Sequence, residues 1–115
     1  MGLWIGNPGL GPSETVRWQK LANRTQGSRA VGGRLYLTES RLLFVPTHLD
    51  SVTGGKRWEL PLAQLRSVGR QNADGGLFSG GLRTRLRLDT DAGTELFVVN
   101  DIDEVIAELD AARSG

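Results

Sequence analysis

A chain of 115 residues, 38% hydrophobic and 23% charged, has the size and composition of one domain built on a single apolar core. With no cysteine it excludes a disulfide framework and thiolate chemistry, and it holds no apolar run near the roughly 20 residues that a membrane-spanning helix needs. The net charge of +1 conceals a division: residues 1–88 carry 13 basic and 5 acidic side chains, and residues 89–115 carry 1 and 8. Pairing between the two halves is one account of that division, and a molecule with one basic face is the other.

Residues 1–13 are rich in Gly and Pro, which argues against regular structure and sets them apart from a domain at 14–112. Trp4 and Ile5 are large apolar groups to leave in water. They are expected on the domain surface or against a second copy, and so are candidate partner contacts. The glycines of 6–11 have the wrong spacing for a dinucleotide fingerprint, and no strand precedes them. The N-terminus lacks the basic flank and long apolar core of a signal peptide, and Gly6 stands where a myristoylation motif requires Ser or Thr. The expectation is a cytoplasmic protein, with a peripheral membrane location as the variant of it.

Residues 14–23 admit two readings. Val16, Trp18 and Ala22 fit strand alternation, interrupted by Lys20, while Trp18, Leu21 and Ala22 fit a helical face. Residues 23–29 read as a polar loop, with Arg24 and Arg29 on either side of Gly27. Residues 30–46 are the clearest hairpin. Val31, Leu35 and Leu37 recur at even spacing on one strand face, with Arg34 and Tyr36 on the other. Thr38, Glu39, Ser40 and Arg41 form the break, where hydroxyl side chains favour a turn. Leu42, Leu43, Phe44 and Val45 make a short apolar strand ended by Pro46. Gly32 and Gly33 fit a bulge or a sharp bend at a barrel corner.

Residues 47–55 read as a loop and 56–60 as a short strand with Trp58 and Leu60 on one face. Gly55-Lys56 lacks the rest of a phosphate-binding loop. Pro61 removes a ladder donor, and a further strand is expected near 66–69. Residues 71–81 are loop-like. Within them Leu77 and Phe78 either fold back onto the core or form an exposed apolar tip for a partner.

Residues 82–88 alternate throughout. Leu82, Thr84, Leu86 and Leu88 are expected to face inward and Arg83, Arg85 and Arg87 outward in a row. Residues 94–99 return as an antiparallel strand, placing Glu95 to pair with an arginine across strands. Residues 101–112 form a helix, with Asn100 or Asp101 as cap and Glu104 as the capping-box partner. Its apolar stripe is Ile102, Val105, Ile106 and Leu109.

The run G-G-R-L-Y-L-T-E-S-R-L-L-F-V-P resembles the central signature of the GRAM domain, a member of the PH-like superfold. The resemblance extends over about 14–109. It implies a mainly β architecture, a PH-like seven-stranded bent β-roll or partly open barrel capped by one C-terminal α-helix. It also turns 14–23 toward strand. PH-like domains commonly bind proteins or anionic lipids, and most have no catalytic activity. The chain departs from the lipid-binding pattern after its first strand, where Lys20, Arg24 and Arg29 are too widely spaced to form a dense phosphate cradle.

Candidates for chemistry are few. His48 is the single histidine and has no Cys or second His to complete a metal site. No metal, cofactor or nucleic acid is expected, nor an enzyme. The expected function is a non-catalytic binding module for a protein partner or for self-association. The alternative is an anionic membrane, met by Arg83, Arg85 and Arg87 with Arg24 and Arg29. At about 1 kcal/mol for each basic residue near such a surface, three arginines fall short of the roughly 4 kcal/mol of a millimolar complex.

Overall fold

The computed structural model describes residues 8–27, 29–72 and 84–114. Trp4, Ile5, Leu77, Phe78, Leu82 and Arg83 lie outside them. Seven strands form one antiparallel sheet: β1 (Val16–Gln26), β2 (Arg29–Thr38), β3 (Arg41–Pro46), β4 (Trp58–Pro61), β5 (Leu65–Gln71), β6 (Arg85–Thr90) and β7 (Gly93–Val99). Their spatial order is β4-β3-β2-β1-β7-β6-β5. A short helix α1 (His48–Val52) follows β3, and α2 (Ile102–Ser114) ends the chain.

The strand reading of 14–23 holds, and the polar loop expected at 23–29 does not form. The β1–β2 ladder continues to Gln26↔Arg29, closed by Gly27 in the left-handed region at φ 62°. Polar residues serve as strand here because their side chains find partners: Arg24 with Glu95, Thr25 with Arg85 and Gln26 with the Gly54 carbonyl. A register shift between Val16 and Trp18 marks a bulge in β1. Beyond it, Val16 packs on one side of the sheet and Trp18 on the other.

The β2–β3 hairpin is the centre of the core. Val31, Leu35, Leu37, Leu42 and Phe44 are all buried, together with Leu86, Leu88 and Phe97 from the other half of the sheet. The unbroken apolar run of β3 has a simple cause. Leu42 and Phe44 enter the main core, while Leu43 and Val45 enter a second cluster on the opposite face with Tyr36, against which Leu10 and Val16 pack. At Gly33 the backbone of β3 leaves no room for a side chain. A side chain there would meet the Val45 carbonyl oxygen at 2.3 Å. The glycine therefore answers a close backbone approach, and of the bulge or sharp bend expected here the ladders show no bulge.

Residues 47–55 contain the short helix α1 where a loop was expected. Thr47 Oγ accepts the Asp50 amide at 3.1 Å and donates to Asp50 Oδ2 at 3.0 Å, a local cap that nucleates the turn. At the other end of the chain, α2 buries Val105 and Leu109 completely against β5 and β6. Asp101 differs from a regular cap. It takes φ 54°, its carbonyl accepts the Val105 amide at 3.1 Å, and its carboxylate accepts from Lys20 Nζ at 3.2 Å. The chain must turn sharply from β7 into the helix, and this residue absorbs the bend.

One polar cluster fastens residues 8–15 to the hairpin. Arg41 donates from Nε and Nη2 to both Glu14 oxygens at 2.7 Å, from Nη1 to Glu59 at 2.8 Å, and from Nη2 to the Gly9 carbonyl at 3.1 Å. Thr38 Oγ donates to Glu14 at 2.8 Å, and the Gly11 amide donates to it at 3.0 Å. The Arg41 hydrogen bonds first, then the Gly11 amide and Thr38 hydroxyl, push the Glu14 carboxyl from 4.5 down to about 2. A depressed folded-state pKa means that the clamp stabilises the fold fully above about 4.5 and is lost as pH falls toward about 2. Glu14→Gln is therefore expected to flatten the acid limb of the melting-temperature profile in that window. Superimposable acid limbs for the two proteins would refute the assignment.

Candidate functional site

Of the five arginines expected to meet an anionic surface, four can be placed. Arg83 lies outside the described residues, and the other four have separate structural work. Arg24 points to the inner face of β1 with Ala22. Its Nε donates to Glu95 at 2.9 Å, and its guanidinium lies 5.7 Å from the centre of the Trp58 ring. The expected pairing of Glu95 with an arginine is thus met from β1. Arg29 donates to Asp50 Oδ1 at 2.9 Å and to the Thr53 hydroxyl at 2.9 Å, which ties α1 to the start of β2.

Arg85 corrects the outward row. It lies on the face opposite Leu86 and Leu88, as the alternation requires, yet it is only 2% exposed and donates to Thr25 Oγ at 3.1 Å. Val98, on the same face of the neighbouring strand, is buried as well. The alternation determines the side of a residue but not whether that side is covered. Thr84, expected inward, is exposed just before β6 begins. Arg87 is the partly exposed member, and it donates to Asp89 at 3.0 Å and to Gln71 at 3.0 Å. The Ser67 hydroxyl, then Thr94 and Arg87, hold the Asp89 carboxyl below the usual carboxylate range.

The structure instead places a groove on the outer face of β7, β1 and β2. It has a volume of about 480 Å³ and is lined by Leu21, Asn23, Gly32, Asp50, Val98 and Asn100 among others. Gly32 forms its floor because a side chain there would meet Asp50 Oδ2 at 3.1 Å and Asn23 Oδ1 at 3.2 Å. Helix α1 is its wall. Asp50 Oδ2 accepts the Gly32 amide at 3.1 Å, and the Thr47 amide donates to the Gly32 carbonyl at 2.9 Å. Leu21 is its lip. It is 49% exposed and stands between the polar Gln19 and Asn23 on the outer face of β1.

The sequence held signals for both features. Leu21 interrupts the polar outer positions of β1, and Thr47 three residues before Asp50 is a helix-start pattern. Among the described residues no three His, Cys, Asp or Glu side chains gather as metal ligands. No helix of the described residues is long and apolar enough to cross a membrane.

No protein-family model matches the chain, and no curated protein matches it. Solved structures do. The C-terminal domain of an unknown protein from Leishmania infantum superposes with a TM-score of 0.66 at 15% identity, covering 89% of this chain and 86% of that one. The Vps36 N-terminal PH domain gives 0.62 at 16% identity, covering 97% and 90%. The hSac2 domain of the human phosphoinositide phosphatase Sac2 gives 0.62 at 19% identity, covering 91% and 73%. The fold is PH-like. On this PH-like frame the groove brings amide and carboxylate groups beside the apolar Leu21 and Val98.

Proposed function

We propose that the chain is a GRAM-type member of the PH-like fold and works as a non-catalytic protein-interaction module. The observation that carries this reading is the exposed Leu21 at the lip of a groove on the outer face of β7, β1 and β2. The GRAM-like signature supports it, since its positions have definite tasks in β2 and β3. Gly33 permits close strand approach, Thr38 locks the turn by accepting the Ser40 and Arg41 amides, Arg41 clamps Glu14, and Phe44 fills the core. The internal pairing of Arg24, Arg29 and Arg87 weighs against a face dedicated to anionic lipid.

The test is capture of partners on the immobilised chain, with wild type beside Leu21→Glu. The variant changes one exposed side chain and is expected to keep its circular dichroism spectrum. Recovery of specific partners, a second copy included, is expected to fall at least several-fold. Vesicles rich in phosphatidylserine are expected to leave the protein in the supernatant at about 0.15 M salt, where the Debye length is about 8 Å. Equal recovery by both proteins, or vesicle binding that Arg87→Glu abolishes, would overturn the reading.

A further inference from the structure

Most of the charged side chains among the described residues are engaged in ion pairs. Arg24, Arg29, Arg41, Arg66, Arg70 and Arg87 each face a carboxylate. Arg34 is different. Among the described residues its side chain meets only the Gln19 amide oxygen, at 3.2 Å. It lies directly across the ladder from Leu21, so the exposed apolar group and an arginine without a carboxylate stand side by side on the outer face of β1 and β2. Arg17, exposed at the β1 bulge, also has no carboxylate partner among the described residues.

The acidic counterpart is on α2. Glu104 and Glu108 are exposed and enter no ion pair among the described residues, whereas Asp103 and Asp110 are paired with Arg70 and Arg113. At four residues apart they lie about 6 Å from one another along the helix. Ala107 and Ala111, also exposed, run beside them and let another surface approach closely. The helix cannot satisfy Arg34 of its own chain by lying over it, because its apolar face is docked on β5 and β6.

We propose that a second copy of this chain docks here, laying the exposed side of its α2 across β1 and β2. Glu104 and Glu108 of one copy face Arg34 of the other, and Leu21 packs against Ala107 and Ala111. The inference rests on the protein-interaction reading above and names the partner. Because the two surfaces differ, the contact closes a two-fold dimer when it is made reciprocally, and generates a ring or an open filament when it is made head-to-tail.

Light scattering and sedimentation velocity on the whole chain test it. Wild type is expected to self-associate in a concentration-dependent way that weakens at high salt, since exposed pairs are screened. Arg34→Glu and Glu108→Arg are each expected to weaken association about tenfold, by replacing attraction with like-charge repulsion. An equimolar mixture of the two single variants should recover association, because native Glu108–Arg34 contacts and charge-exchanged contacts can form between unlike chains. The double variant, with the charges exchanged, should recover wild-type association.

Wild type that stays monomeric at 200 µM (roughly the concentration where even a weak complex shows) sinks the inference. Partner capture that still depends on Leu21 would then leave the interaction reading standing. Self-association that neither variant alters, or a mixture that fails to associate, sinks the contact between α2 and the sheet alone.

Discussion

Replacing Phe44 by alanine is expected to destabilise the protein by about 3–5 kcal/mol, the range for losing a buried aromatic side chain. Its ring is fully buried and lies 5.7 Å from that of Phe97, which in turn lies 5.4 Å from Trp58. These contacts join β3, β4 and β7, so the cavity would open between the two halves of the sheet rather than inside one hairpin. Domains of this size have roughly 5–15 kcal/mol in hand, and the variant should stay folded at low temperature with a much lower denaturant midpoint. Phe44→Leu should lose clearly less. An alanine variant within about 1 kcal/mol of wild type would mean that the ring is not a core element.

Gly33→Ala is the second large effect. The added methyl group would stand 2.3 Å from the Val45 carbonyl oxygen and 2.8 Å from both Phe44 Cζ and Pro46 Cα. Two of those three atoms belong to the backbone, so no side-chain rotation relieves the clash. The strands must separate, and overpacking of this kind costs about 1–3 kcal/mol, or more where backbone has to move. Gly69→Ala is a control in the same sheet, since a methyl group there meets nothing within 4 Å. Equal melting temperatures for the Gly33 variant and wild type would show that β2 and β3 are not held this close.

The contrast between these two glycines illustrates what was legible in the chain. The hairpin at 30–46 was readable because its apolar residues alternate in β2 and run unbroken in β3, and α2 was readable from its stripe of Ile102, Val105, Ile106 and Leu109. The structure agrees on both, and on the mainly β, seven-stranded, helix-capped architecture. Residues 23–26 were misread because Asn23, Arg24 and Gln26 are polar, and polar residues mark loops and hairpin ends alike. Arg85 was misread because strand period assigns a face without revealing what lies over it. The groove was out of reach for another reason. Its lining comes from β1, β2, the α1 segment and the end of β7, and no local pattern joins stretches so far apart. Leu21 was visible only as one apolar residue in a segment that fitted two periodicities.

The pairing of β1 with β7 has a bearing on how this molecule forms. Every other neighbouring pair in the sheet joins strands adjacent in sequence, whereas β1 meets β7 through Ala22↔Val99, Asn23↔Val98 and Arg24↔Phe97 alone. Closing that seam draws together segments from nearly opposite ends of the chain, and the entropy of so large a loop opposes it. Adjacent hairpins assemble quickly, so joining the two halves through three residue pairs becomes the slow event of folding.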